Sequence, residues 1–353
     1  MAKKVLFFIN SEVGGAERMS VLISKILIKG GLKVEYAIIK DKMTAASITD
    51  FLPHGYNVTY IKADNPADKI RIFYHTIKQH KPDVVFSSHL AINDKLLLLK
   101  PFFKEIKFII RSDNYYNTYR FVSKLFIKAT YGLANAMIAQ TDEMKDEFVK
   151  HRIIPEKKIF VLENPVDKES IDEKLKNADN PYPADGKKHI VAVGRFSYQK
   201  GYDYLVQAIE QVIRQQANCE LYIIGAYTEK WKQEYDRIAT LILKLGIKES
   251  VHCIGYQNNP YKWIKYADCF VLSSRWEGLP NVLAEALYLG TPVAAFKCIP
   301  IIERMVRDEI DGFLAEKKDA SSLATAISKT IGLGRISTVY TGATNEDFLK
   351  IFI

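Results

Sequence analysis

A chain of 353 residues is too long for one ordinary hydrophobic core and long enough for two domains. With 48% apolar and 26% charged residues it has the balance of a globular protein, and no uninterrupted apolar run reaches the roughly 18 residues of a membrane-spanning helix. The net charge of +9 sits on one half: residues 1–166 hold 26 Lys+Arg against 17 Asp+Glu, whereas residues 167–353 hold 24 of each. That asymmetry points to an anionic partner for the first half (a membrane surface, a phosphorylated acceptor or a nucleic acid), with a merely solvated surface as the plain alternative.

The N-terminus, MAKKVLFFINSE, enters an apolar run of only five residues with no small-residue cleavage site, so no secretory signal is expected. Residues 5–9, VLFFI, read as a buried parallel strand. A turn at Gly14 and Gly15 follows, then a helix from about Ala16 to Lys29. Further strands are expected at 34–39 (VEYAII), 83–88 (DVVFSS), 107–112 (KFIIRS) and 135–141 (NAMIAQT), with helices between them. Alternation of this kind predicts a parallel sheet covered on both faces. Residues 167–188 are polar and end in Pro181, Pro183 and Gly186, which reads as a linker. The alternation then restarts: strands at 189–194, 219–225, 251–255, 269–274 and 292–296, with an amphipathic helix from Tyr202. The expected organisation is a domain at 1–166, a linker, and a domain at 189–335, with residues 336–353 returning to the first domain. Both domains are doubly wound α/β units. The four cysteines, Cys219, Cys253, Cys269 and Cys298, show neither close pairing nor metal-ligand spacing, as expected of reduced thiols in a cytoplasmic protein.

The most informative segment is SSRWEGLPNVLAEALYLGTPVAAF, residues 273–296. It leaves a strand, crosses a polar loop and enters a helix at Pro280, a residue suited to the first helical position. The amides of Asn281, Val282 and Leu283 would then form an anion site at the carboxyl edge of a sheet. Glu277 in the loop and Glu285 in the helix are poor phosphate ligands but good acceptors for sugar or ribose hydroxyls. Cations come from GRFSYQKG, residues 194–201: Arg195 and Lys200 follow Gly194 in a short loop, where they can grip and stabilise a leaving diphosphate.

On these residues the chain resembles glycosyltransferase family 4, retaining enzymes of the GT-B fold. The Glu277–Glu285 pair inside EGLPNVLAEALYLGTPV carries the resemblance. Gly194, Arg195, Lys200 and Gly201 match a second family motif, and Gly14 and Gly15 in VGGAER a third. The resemblance implies two Rossmann-like domains facing each other across a cleft. Arg195 and Lys200 would bind the donor diphosphate, Glu285 the ribose, and Glu277 the sugar hydroxyls. The backbone from Gly278 and Leu279 through Pro280 and Asn281 to Val282 would lie close to sugar and phosphate. Tyr256 would border the base, and Gly14 and Gly15 would meet the donor phosphate from the other domain. The donor implied is a nucleotide sugar, best a uridine diphosphate sugar. The acceptor implied is a glycan, lipid-linked, in surface polysaccharide, capsule or lipopolysaccharide synthesis.

In the first domain the resemblance implies a His or Asp near the reacting carbon, and Asp113 (after the strand KFII) and His89 (after VVFSS) are the candidates for it. A hydrogen-bonded structural residue is the alternative for each. Residues 116–133, YNTYRFVSKLFIKATYGL, read as a helix on which Arg120, Lys124 and Lys128 make a basic stripe flanked by apolar residues. Such a helix can lie on the anionic inner face of a membrane or grip a lipid diphosphate. The alternative is a core helix with a solvated lysine face. No paired-Asp metal motif and no His/Cys ligand spacing occurs, so neither cofactor nor metal is expected. Cations and aromatics form no RNA or DNA module, which argues against a nucleic-acid partner. A GT-B epimerase or phosphorylase is the alternative enzyme.

Overall fold

The computed structural model describes every residue except 1, 13, 40–47, 54, 64, 216–217, 227, 338–339 and 341. It contains two compact units, Met1–Pro165 with Gly342–Ile353, and Val166–Thr341.

The first unit is built on seven parallel strands: β1 (Lys4–Asn10), β2 (Lys33–Ile39), β3 (Val58–Ile61), β4 (Val84–Ser87), β5 (Lys107–Arg111), β6 (Ala136–Ala139) and β7 (Ile159–Val161). Their order is β3-β2-β1-β4-β5-β6-β7, so the winding reverses between β1 and β4. The inner strands are continuous apolar runs buried on both faces, as a doubly covered parallel sheet requires. The edge strands β3 and β7 had no such signal. Each is short and only partly buried, because one of its long sides faces no further strand. The helix Asn345–Phe352 closes this unit. Thr344 and Asp347 form a reciprocal capping box at its start. Phe352 packs 5.4 Å from Phe86, and Leu349 fills the space over Gly30.

The second unit holds six parallel strands: β8 (Lys188–Val193), β9 (Cys219–Ile224), β10 (Val251–Gly255), β11 (Cys269–Leu272), β12 (Val293–Phe296) and β13 (Gly312–Ala315). The order β10-β9-β8-β11-β12-β13 reverses between β8 and β11. The amphipathic helix expected from Tyr202 runs over Tyr202–Gln215 and buries Leu205, Val206, Ile209 and Val212. Residues 167–188 lie inside this unit. Asp167 caps the helix Lys168–Leu175, which buries Ile171. Tyr182 is a core residue whose hydroxyl donates to the Trp263 carbonyl at 2.6 Å. Residues 167–188 are thus anchored to this unit through Ile171 and Tyr182, while Pro183 and Gly186 stay exposed.

Candidate functional site

The carboxyl ends of β8 and β11 lie side by side at the strand-order reversal of the second unit, the place where open α/β sheets bind ligands. Gly194 follows β8. A Cβ there would stand 2.9 Å from Lys200 Cε and 3.1 Å from the Tyr202 hydroxyl, so only glycine lets the Lys200 side chain fold back over the strand end. Gly201 takes the left-handed conformation at φ +63°, and a Cβ on it would collide with the Ser273 carbonyl. Gly201 thus lets the loop after β8 lie directly against the loop after β11.

That contact brings Lys200 and Glu277 together. Lys200 Nζ lies 2.7 Å from Glu277 Oε1, with the two side chains 15% and 9% exposed. The same oxygen accepts from Ser274 Oγ at 2.6 Å, and Oε2 accepts from Gln199 Nε2 at 3.3 Å. Gln199 Nε2 also donates to the Trp276 carbonyl at 2.9 Å. Glu277 is thus an oriented, charge-paired carboxylate in a nearly dry loop. The neighbouring Cys298 thiol is pushed up to about 12, first by burial and then by the Glu277 charge, so it stays protonated.

Arg275 was not anticipated, and it ties the two loops together. It is buried, donates from Nη2 to Asp203 and from Nη1 to the Tyr198 carbonyl at 2.6 Å, and lies 3.8 Å from the Tyr198 ring centre and 4.7 Å from that of Tyr204. Burial pushes the Asp203 carboxyl up, but hydrogen bonding from Arg275 and the charges of Arg275 and Arg237 outweigh it and hold it below its ordinary value. The available signal was a lone arginine where the chain leaves a buried strand, in SSRWEG.

Arg195 is exposed, and its guanidinium lies 5.5 Å from the Trp231 ring centre. Gly278, Leu279 and Pro280 are buried, and the helix runs over Asn281–Tyr288. Two expectations need correction there. Pro280 is the N-cap rather than the first helical residue, because its ψ of 95° is extended. The Leu283 amide is not available to an anion, since it donates to the Pro280 carbonyl at 3.0 Å. The Val282 N–H makes no backbone hydrogen bond among the described residues. Glu285 is buried in the body of the helix. Tyr256, just past β10, is 44% exposed.

In the first unit, Gly14 is the N-cap of the helix Gly15–Lys29 at φ −127°, and neither Gly14 nor Gly15 has positive φ. Glu17, held by Asn10 Nδ2 at 3.0 Å, brings its carboxylate against Gly14, so a negative charge already sits at this helix start. Asp113 accepts from the Tyr119 hydroxyl at 2.7 Å. His89 is the N-cap of the helix Leu90–Leu99, and its Nδ1 is buried with no hydrogen-bond partner among the described residues. Between these two residues in chain order lies Arg111, which sequence reasoning passed over. It is fully enclosed and donates to Asn164 Oδ1, and burial pushes its guanidinium down to about 10.

The basic helix is shorter than expected, Phe121–Thr130, because Tyr116–Thr118 form a separate turn and Arg120 is the N-cap. Lys124 donates to the Asn117 carbonyl at 3.0 Å, and Lys128 is exposed. Its apolar side is largely in solvent: Phe121 is 76% exposed and Phe126 50%, with Val122 and Leu125 between them in exposure. Among the described residues no helix is long and apolar enough to cross a membrane.

Two family models match the chain: "Glycosyltransferase Family 4" over residues 13–170 and "Glycosyl transferases group 1" over residues 170–335. An uncharacterised glycosyltransferase of Methanocaldococcus jannaschii is 32% identical over 238 residues, 63% of this chain and 57% of the relative. The N-acetylgalactosamine-N,N'-diacetylbacillosaminyl-diphospho-undecaprenol 4-alpha-N-acetylgalactosaminyltransferase of Campylobacter jejuni is 26% identical over 219 residues, 62% of this chain and 57% of the relative. The chain thus spans a little over half the length of each of these relatives. Among solved structures, Anabaena HepE in complex with UDP-glucose superposes with a TM-score of 0.76 at 17% identity, covering 94% of this chain and 93% of that one. Together the two models run from residue 13 to residue 335, and the chain belongs to the group 1 glycosyltransferases with the GT-B fold.

Proposed function

We propose that this chain is a retaining, metal-independent glycosyltransferase that moves a hexose or N-acetylhexosamine from a UDP sugar to a lipid-linked glycan of a surface polysaccharide or lipopolysaccharide. The observation that carries the reading is the Lys200–Glu277 pair at the carboxyl edge of the second sheet. A carboxylate locked by Lys200, Ser274 and Gln199 presents oriented acceptors to sugar hydroxyls, and the lysine offers its charge to a departing diphosphate. Arg195 adds a fork of donors on the exposed side of the same loop. The start of the helix Asn281–Tyr288 adds its dipole, Glu285 takes the ribose hydroxyls, and Tyr256 borders the base. In the proposed step the bond from the anomeric carbon to the diphosphate breaks as the acceptor hydroxyl bonds to the same face of that carbon. The hydroxyl proton passes to the leaving phosphate oxygen, so no protein nucleophile is needed. Asp113 and His89 stand at the carboxyl ends of their strands, where an acceptor hydroxyl can be oriented. The UDP complex of HepE and the lipid diphosphate named for the Campylobacter relative support the choice of donor and acceptor.

The test is incubation with a panel of nucleotide sugars and a short lipid-diphosphate glycan, with and without EDTA. Release of UDP from one sugar, an unchanged rate in chelator and an α-linked product are expected from an α-configured donor. A β-linked product, or loss of turnover in EDTA, refutes the mechanism. Isomerisation without acceptor, or a requirement for inorganic phosphate, makes the enzyme an epimerase or phosphorylase instead.

The exposed apolar side of the helix Phe121–Thr130, with Arg120, Lys124 and Lys128 beside it, supports peripheral attachment to the anionic cytoplasmic face of a membrane. Co-sedimentation with vesicles containing phosphatidylglycerol is expected, weakening steeply with salt. Phe121→Asp with Phe126→Asp is expected to cut vesicle binding about tenfold or more while UDP binding stays the same. Unchanged sedimentation of the double variant disproves the attachment.

A further inference from the structure

A second polar cluster lies at the amino ends of the second unit's strands, the edge opposite the one that carries Glu277. His189 is the second residue of β8, Glu220 of β9 and His252 of β10. His189 pairs in register with Glu220, and His252 with Tyr222. Side chains alternate along a strand, so His189, Glu220, Tyr222 and His252 share one face of the sheet. Asp185 approaches the same place from the segment before β8. One ligand atom each from Asp185, His189 and Glu220 lie within 4.8 Å of one another. His252 Nε2 is 3.1 Å from Glu220 Oε2.

The His189 ring is held rigidly. It stacks on Tyr182 at 4.4 Å between centres and 7° between planes. The residue is 8% exposed, and its Nε2 is sealed from solvent with no hydrogen-bond partner among the described residues. The nearest carboxylate oxygen, Asp185 Oδ1, lies 3.6 Å away, beyond hydrogen-bond reach. A buried ring nitrogen in that state costs free energy unless something takes its lone pair. Lys187 reaches into the same space, pairing with Glu220 Oε1 and lying 3.7 Å from Asp185 Oδ2, although its side chain is 39% exposed and has a clear route back to solvent. Two carboxylates stand against one ammonium, so the cluster is anionic and attracts a cation.

We infer that Asp185, His189 Nε2 and Glu220 form a binding site for a divalent transition metal of zinc-like chemistry, with His252 Nε2 holding Glu220 from the side, and that Lys187 competes for it. An imidazole with two carboxylates suits zinc, whereas magnesium prefers an all-oxygen shell. The ion would clamp the segment before β8 to β9 and β10, far along the strands from the sugar-nucleotide loops. Its role is stability rather than catalysis.

The test is calorimetric titration of chelator-treated protein with zinc chloride, read beside thermal unfolding. One saturable equivalent and a rise of several degrees in Tm are expected. His252→Asn, which removes a partner of Glu220, is expected to weaken zinc binding about tenfold, and Asp185→Asn, which removes a ligand, at least as much; both side chains are partly exposed. Lys187→Met is expected to tighten it, because the competing ammonium is gone. UDP binding stays constant in all three, which separates this site from the donor site. Absence of saturable zinc binding, equal binding of magnesium, or an affinity indifferent to Asp185→Asn overturns the assignment.

Discussion

Lys200→Ala is expected to lower kcat/KM for sugar transfer by about 10²–10³-fold, with the fold intact. Lys200 Nζ lies 2.7 Å from Glu277 Oε1 in a loop that water barely reaches, so its removal deletes a cation at the developing diphosphate and frees Glu277 to move. Most of the loss should fall on kcat, since the leaving group gains charge only as the bond breaks. Glu277→Gln is expected to cost a similar factor. It keeps the shape but loses the charge that aligns Lys200 and the acceptor strength offered to sugar hydroxyls. Because the two groups share one ion pair, the double variant should lose much less than the product of the single losses. Steady-state kinetics on the four proteins, with circular dichroism as the check on folding, decides it. Near-normal turnover in both single variants would remove the pair from the site.

Arg275→Ala is expected to destabilise the second unit by roughly 3–5 kcal/mol, as removal of one partner of a buried ion pair does. Among the described residues Asp203 would keep Arg237, at 3.4 Å, as its paired cation, and the Arg275 guanidinium beside Tyr198 and Tyr204 would leave a gap. The loop after β8 would also lose its tie to the loop after β11, so transfer should fall even where the variant is folded. The pH dependence has a definite sign. The folded Asp203 carboxyl titrates below its ordinary value, so its contribution is complete above about pH 4 and disappears as the pH falls through the folded value. Urea unfolding of the second unit's transition should therefore separate wild type and variant more at pH 7 than at pH 3, the gap shrinking as the pH falls. An equal gap at both values would mean that the charge pair contributes little.

Much of the donor-side chemistry was legible because it rests on local features. Gly194, Lys200, Gly201, Glu277 and Pro280 fall in two short loops at strand ends, where glycines, proline and isolated charges stand out against apolar runs. What those loops do to each other was not legible. Lys200 and Glu277 are 77 residues apart, and their bond exists only because β8 and β11 are neighbours in the sheet. Arg275 was hidden for the same reason: a buried arginine declares itself through Asp203, Tyr198 and Tyr204, which no spacing rule connects to it. Arg111 was passed over in favour of Asp113, since nothing local distinguishes a buried strand-end arginine from a solvated one. The amphipathic segment around Lys124 showed its composition in the sequence, but whether its apolar side packs or stays exposed depends on what lies against it.

By itself the sequence determined the alternating β and α elements, the doubly wound class and the positions of the phosphate-side loops, because these follow from hydrophobic period and from residues with special backbone or charge. The tertiary structure alone decided the edge strands, the placement of residues 167–188 within the second unit, the spent amide of Leu283 and the gathering of His189, Glu220 and His252. Each of these depends on which strands become neighbours and which atoms are cut off from water. Those are properties of long-range packing, and no short window of sequence carries them.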